Sequence, residues 1–409
     1  MSEAGTIARV VNMRPLRIAI VTETFLPKMD GVVRSIVEFL RYLRRNGHDA
    51  IVFCPGSGEP VAEGFPVVYA GGSVFPLYPE LRLAVRCPMM LPRMRAWKPD
   101  IVHLAGPALL GVQGLRVARL CRVPAIAHFQ TDLATYARHY GARWLEPAIW
   151  RYLIGIHNRC AANYAPTAAV EGELLRRGME RVRILGRGVD TRTFHPGYRS
   201  GMLRQSWGVD PTDVVFLSVG RVSAEKNLDR LSDLMDGLPN SKLVVVGDGP
   251  YRSTLARRLG PSVIFTGQSR GAALSTAYAS ADVFAFPSLT DTFGQVLQEA
   301  MASGLPVLAM RAGGTPEIID DGATGLLCRP SAPGAWVDNA RFLARSRDVR
   351  LSLGARARSV AETRSWGATF DGLMDAYRVL AGHHLRLLSP RSGAPGAAPM
   401  SSSMYTRWR

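Results

Sequence analysis

The sequence holds no Cys-x-x-Cys pair, no Asp-x-Asp triplet and no Gly-Lys dipeptide. Each absence removes a class of chemistry. The cysteines are an odd five, widely spaced (Cys54, Cys87, Cys121, Cys160 and Cys328), so neither a disulfide framework nor a zinc site is indicated. Without Asp-x-Asp, a metal held by that motif is not supported, and without Gly-Lys there is no Walker phosphate loop. A His-Glu-x-x-His helix is missing as well. Long apolar runs are also lacking: "IVHLAGPALLGVQGL" (101–115) carries His103 and Gln113 and is shorter than the roughly 18 residues a spanning helix needs. The opening "MSEAGTIARVVNMRP" has no charged start, long apolar middle or small-residue cleavage site. It reads as a disordered leader over 1–14 with no signal peptide, which places the protein in the cytoplasm.

Acidic residues are scarce beside basic ones, 33 against 50, giving a net charge of +17. Such a balance favours nucleic acid, anionic lipid surfaces or phosphorylated substrates as partners. The arginines are dispersed, as in "RYLRRNGHD" and "RMRAWKPD", and no nucleic-acid recognition module is visible, so no nucleic acid is expected. An anionic membrane surface stays open as a partner, beside the plainer reading of arginines decorating solvated helix faces.

What is present is a repeated alternation of strands and helices. At 409 residues the chain is too long for one ordinary core and is read as two domains. "LRIAIVTETFLP" is a β-branched run, followed by a helix whose Val33, Ile36, Val37, Leu40 and Leu43 repeat at helical spacing. "DAIVFCPG", "DIVHLAGP", "PAIAHFQTD" and "AANYAPT" follow, each ending in Gly, Pro or a polar residue, as parallel strands do. The pattern restarts with "VVFLSVG", "KLVVVGDG", "VIFTG", "VFAFPS" and "PVLAM". The expected fold is α/β: two doubly wound Rossmann-like domains, 15–199 and 200–367, facing across a cleft. A helix over 368–384 and a disordered Pro/Ser/Gly-rich tail over 385–409 complete the reading.

The candidate site residues sit at strand ends. In "FLPKMDGVVRS", Gly31 either lets a phosphate approach a helix N-terminus or serves a turn. In "GRVSAEKNLDRL", Arg221 and Lys226 follow Gly220 where an apolar strand is expected to run into a helix start, and two cations there can neutralise a diphosphate leaving group. "VVGDGP" supplies Gly247 and Gly249, a weak signal most often found in turns. In "DTFGQVLQEAMASGLPVLA", Asp291 and Glu299 bracket a loop and the start of a helix, with Glu299 expected about two turns in. One carboxylate can hold sugar hydroxyls and the other a ribose, while the Phe293, Gly294 and Gln295 amides remain for phosphate. "GARWLEPAIWRYLIGIHNR", with Trp144, Trp150, Arg151 and Arg159, is a buried helix or a membrane-touching one.

Taken in order, these motifs, with "GRGVDTRTFHP", "AYASADVFAFPS" and "AGGTPEII", resemble the GT-B glycosyltransferases of family 4 from about Leu16 to Leu380. Those enzymes are retaining and use nucleotide-diphosphate sugars. Within the family, the chain looks most like GDP-mannose-dependent α-mannosyltransferases of glycolipid synthesis and, almost as much, sulfoquinovosyl-diacylglycerol synthases. The resemblance implies a metal-independent hexosyltransferase with no bound cofactor. Its donor would be GDP-mannose, or a UDP-sugar in the alternative, and its acceptor a lipid or glycolipid hydroxyl at the inner face of the plasma membrane. A soluble acceptor, or a non-enzymatic basic binding protein, are the other readings.

The same resemblance implies that Gly31 meets the donor phosphate and that Arg221 and Lys226 stabilise the leaving diphosphate. Asp291 with the Phe293 and Gly294 amides would hold the sugar, Glu299 the ribose, and the segment ending at Gly267 would flank the base. On the acceptor side, His128, Gln130 and Asp132 alternate along one strand end and would share a face. Two positions depart from the family pattern. Asp291 stands where Glu is usual, and Gln130 where many relatives carry His.

Overall fold

The computed structural model describes residues 14–388, apart from residues 29, 76–77, 131–132, 135–142, 236–237, 239, 261–262 and 292. Asp132, named above on the acceptor side, lies outside the described residues, as do 1–13 and 389–409.

The N-terminal strands are β1 (Arg17–Thr22), β2 (Asp49–Cys54), β3 (Val61–Ala62), β4 (Phe65–Tyr69), β5 (Ser73–Phe75), β6 (Tyr78–Leu83), β7 (Ile101–Ala105), β8 (Ala125–His128), β9 (Ala162–Ala165) and β10 (Val182–Ile184). All but β5 and β6, which form a separate antiparallel ribbon, make one sheet ordered β10-β9-β8-β7-β1-β2-β4-β3. It is parallel except where β3 meets β4. β7 is buried at every position, because helices cover both faces of a parallel sheet, so its sequence runs apolar without alternation. The second sheet contains β11 (Val214–Val219), β12 (Ser241–Val246), β13 (Val263–Gly267), β14 (Val283–Phe286), β15 (Val307–Met310) and β16 (Gly325–Cys328). Its order is β13-β12-β11-β14-β15-β16, parallel throughout. The short strands β4, β10 and β16 were not among the expected runs; Pro66 and Arg183 interrupt the first two.

Strand order reverses between β1 and β7 in the first sheet and between β11 and β14 in the second. At such switch points the loops leaving the strands diverge and open a crevice. The helices bearing on these crevices are α1 (Gly31–Arg45), α2 (Leu110–Leu120), α3 (Ala168–Arg176), α4 (Gly271–Ser280), α5 (Gln295–Ala302) and α6 (Thr315–Ile318). In α1 the residues Val33, Ile36, Val37, Leu40 and Leu43 are all buried, as their spacing predicts.

The long final helix α7 (Trp366–Leu388) returns to the first unit. Its Phe370, Leu373, Met374 and Tyr377 join the core beneath α1, with Phe370 4.9 Å from the Phe39 ring. Each such side chain, fully buried, contributes about 1.5–3 kcal/mol to holding the helix there. The two chain crossings between the units run side by side, joined by the bridge of Val189 with Ser365. Gly188 is needed at this point, since a Cβ there would collide with the Trp366 backbone.

Candidate active site at the facing switch points

The second switch point is assembled from the loops after β11 and β14. Expected as a helix start, the segment after Gly220 is instead a loop leading into a 3-10 turn, Ala224–Lys226, ended by Asn227 in the left-handed region (φ 55). Asn227 Nδ2 donates to the Pro287 carbonyl at 3.0 Å, and Thr290 Oγ1 to the Glu225 carbonyl at 3.1 Å. These bonds bring Lys226 Nζ to 2.7 Å from Asp291 Oδ1. The second oxygen, Asp291 Oδ2, is buried without a hydrogen-bond partner. A glycine-rich loop supports Asp291 from behind: the Gly314 amide donates to its carbonyl at 3.0 Å, and a Cβ on Gly313 would collide with its backbone. Arg221 is partly exposed beside Gly220.

The glycine pairs of this unit lock neighbouring loops together. The Gly220 amide donates to the Val246 carbonyl at 3.0 Å, and the Gly247 amide to the Gly267 carbonyl at 2.8 Å. Gly247 adopts φ +147, and a Cβ there would run into the Gly220 carbonyl, so only glycine fits. The result is a low rim of backbone beside Arg221.

The helix α5 begins at Gly294 (φ +80), which caps it without a side chain, leaving the first amides to other partners. Phe293, just before, is buried in the core. Glu299 is the fifth residue of α5, slightly more than one turn in rather than the two turns expected, and is only 1% exposed. The Tyr278 hydroxyl of α4 donates to Glu299 Oε2 at 3.0 Å, and Arg34 of α1 is ion-paired with Oε1 from the opposite unit. Burial pulls the Arg34 guanidinium below its ordinary value.

In the first unit, Asp30 caps α1 by accepting from the Val32 and Val33 amides, both at 3.0 Å. Gly31 is the first residue of that helix. Glu23 spans the first switch point, accepting from the Ala108, Leu110 and Gly111 amides at 2.8, 3.1 and 2.9 Å. Burial raises its carboxyl above the usual range, opposed by those amides. His128 and Gln130 do meet, with Gln130 Nε2 3.1 Å from His128 Nδ1, but they are 2% and 6% exposed. They line a small cavity with His103, Ser35 and Phe370 under α7. Burial holds His128 well below its ordinary value and His103 down at about 4, so both rings are neutral at pH 7.

Four side chains at this junction were not singled out from sequence: Arg34, Arg187, Tyr278 and Glu317. The first three lie inside the stretches "FLPKMDGVVRS", "GRGVDTRTFHP" and "AYASADVFAFPS", and Glu317 in "AGGTPEII". The signal was present as motif, without a geometry to give each residue a task. Trp150 of the doubtful aromatic stretch is buried and stacked on Phe129, whereas Trp144 is 78% exposed.

The profile described as Glycosyltransferase Family 4 matches residues 29–193, and that described as Glycosyl transferases group 1 matches residues 201–360. The GDP-mannose-dependent alpha-mannosyltransferase of Corynebacterium glutamicum is 40% identical over 77% of this chain and 77% of its own. The chain belongs to the family 4, group 1 glycosyltransferases. This glycosyltransferase is also 33% identical to sulfoquinovosyl transferase SQD2 of Arabidopsis thaliana, over 87% of this chain and 72% of that one. Its fold matches that of Anabaena HepE in complex with UDP and glucose, with a TM-score of 0.71 at 20% identity over 88% of this chain and 99% of that one. The architecture is therefore GT-B. No helix among the described residues is long and apolar enough to cross a membrane.

Proposed function

We propose that this enzyme moves mannose from GDP-mannose onto a hydroxyl of a lipid or glycolipid, with retention at the anomeric carbon. The observation that carries this reading is the 2.7 Å contact of Lys226 with Asp291, a cation for a leaving diphosphate set against a carboxylate for sugar hydroxyls. Identity of 40% with a relative named for GDP-mannose supports the choice of donor. In the mechanism, the bond from the anomeric carbon to the diphosphate oxygen breaks while Arg221 and Lys226 stabilise the departing charge. The acceptor hydroxyl attacks from the same face, and its proton passes to the leaving phosphate oxygen, so no strong protein base is needed. Asp291 with the Phe293 and Gly294 amides holds the sugar, and Glu299 takes the ribose. Gly31, Gly220 and Gly247 keep the phosphate path clear, Gly267 flanks the base, and His128 with Gln130 shapes the acceptor side from beneath.

Loss of one such electrostatic group lowers kcat by about a hundredfold or more. Arg221→Ala should therefore lower turnover more than it weakens donor binding, and unchanged turnover with weaker binding would refute the role. The SQD2 relationship, 33% identity over 87% of the chain, favours a UDP-sugar as the second reading. Thermal stabilisation by GDP-, UDP-, ADP- and dTDP-sugars separates the two, since a ligand at about 100 times its Kd adds roughly 2.7 kcal/mol. Selective stabilisation by GDP-mannose supports the first reading, and no response to any nucleotide sugar sinks both. The basic charge of +17 and the exposed Trp144 support peripheral binding at the inner face of the plasma membrane. Sedimentation with anionic liposomes tests this, and absence of salt-sensitive binding counts against it.

A further inference from the structure

Arg187 lies on the first crossing between the units and is 9% exposed, yet its Nε is a buried donor without a partner. The acids that bear on its charge are Asp30 and Asp291. Both have other work: Asp30 Oδ1 accepts the Val32 and Val33 amides, and Asp291 Oδ1 receives Lys226 at 2.7 Å. Arg34 adds repulsion, and burial brings the guanidinium down to about 10.

The surroundings deepen the imbalance. A methyl group on Gly31 would come within 2.8 Å of the Arg187 guanidinium, so the cation lies against the first residue of α1. On its other side the guanidinium stands 5.7 Å from the centre of the Phe293 ring, next to the start of α5. Gln295 Nε2 ties that start to the crossing, donating to the Gly188 carbonyl at 2.9 Å. Arg187 is thus held between two helix N-termini, each the positive end of its dipole. A desolvated cation so placed is unfavourable by itself and favourable around an anion.

We propose that Arg187 is a third cation of the donor site, forking onto the diphosphate of the nucleotide sugar between the N-termini of α1 and α5. This rests on the donor-site reading above. A planar guanidinium suits two phosphate oxygens at once, whereas an ammonium contacts them as a point charge. It also gives Gly31 a reason beyond the backbone turn, since any side chain there would displace the guanidinium.

The test is calorimetric titration of the full chain with GDP and GMP, and with UDP and UMP, for wild type, Arg187→Met and Arg187→Lys, alongside the Tm of each unliganded protein. Arg187→Met should weaken the diphosphate by about tenfold or more while leaving the monophosphate within about twofold. Arg187→Lys should lose a smaller part of the diphosphate affinity. The unliganded Tm of Arg187→Met should be unchanged or higher, because an uncompensated buried charge has gone. An unaltered ratio of diphosphate to monophosphate affinity overturns the proposal. So does a lowered Tm with parallel loss for both nucleotides, or failure of both variants to fold, since these mark a structural support. Wild type that binds neither GDP nor UDP would instead overturn the donor-site reading itself, and this proposal with it.

Discussion

The guanidinium of Arg34, on α1 of the first unit, is ion-paired with the carboxylate of Glu299, on α5 of the second. Glu299 is the residue proposed to take the donor ribose, so the pair ties the closed arrangement of the units to the occupancy of that carboxylate. Arg34→Met would leave Glu299 with the Tyr278 hydroxyl at 3.0 Å as its polar contact. Removing one member of a fully buried pair costs about 3–5 kcal/mol. Because the Arg34 side chain is 32% exposed, water relieves part of this, and the expected loss is about 2 kcal/mol. Urea unfolding measures it, and a stability equal to wild type would show that the carboxylate is satisfied elsewhere.

Lys226 and Asp291 make a second test of coupling. Each single substitution, Lys226→Met or Asp291→Asn, removes the same 2.7 Å contact, so the second change has less left to break. The effects on kcat/KM should fall short of additivity by about 1 kcal/mol. Strict additivity in the double-mutant cycle would mean that the two side chains serve the reaction independently.

Much of this was legible in the sequence because it is local. β-branched runs ending in glycine mark parallel strands, and the apolar face of α1 is written in the spacing of Val33, Ile36, Val37, Leu40 and Leu43. Arg221, Lys226 and Asp291 could be placed on loops because each follows a strand end. What the sequence withheld depends on the approach of one unit to the other. Arg34 and Glu299 are 265 positions apart in the chain, a pairing fixed only by how the crevices face. The closure of α7 over His128 and Gln130 is equally non-local, since it rests on Phe370 and Leu373 returning from the chain's far end. The 3-10 turn at Lys226 was missed for a different reason: Asn227 in the left-handed region stops the helix that the local pattern suggests.

The buried histidines predict how stability depends on pH. His103 and His157 are both held down to about 4 by burial, against an ordinary value of 6.5. Between these values the unfolded chain binds protons that the native protein refuses, so stability falls as the pH falls. Their contribution is fully present above pH 6.5 and is lost progressively toward about pH 4. His103 Nδ1 lies 2.6 Å from the Tyr377 hydroxyl, a bond that His103→Gln can keep without a titrating ring. The Tm of this variant should decline less steeply than that of wild type between pH 7 and 4.5, and identical slopes would refute the assignment.

Glu317 offers a test of the interface that leaves the proposed chemistry untouched. It lies on α6 of the second unit, and its carboxylate accepts from the Ala168 and Ala169 amides at 2.6 and 2.7 Å. These are the first amides of α3 in the first unit, so an acid from one unit caps a helix of the other, beside Thr167, which accepts from Val170 at 3.3 Å. Loss of a cap costs about 1 kcal/mol, and here the cost falls on the contact between units rather than on either core. Glu317→Ala should therefore lower the Tm modestly and widen the unliganded particle in small-angle scattering. A saturating nucleoside diphosphate should restore the compact form, because ligand contacts from both sides supply closure that the cap no longer gives. KM for the donor should rise while kcat stays near wild type, because the cap holds the units together without touching the reacting atoms. An unchanged radius of gyration with unchanged KM would show that the units are held by other contacts and that the cap stabilises α3 alone.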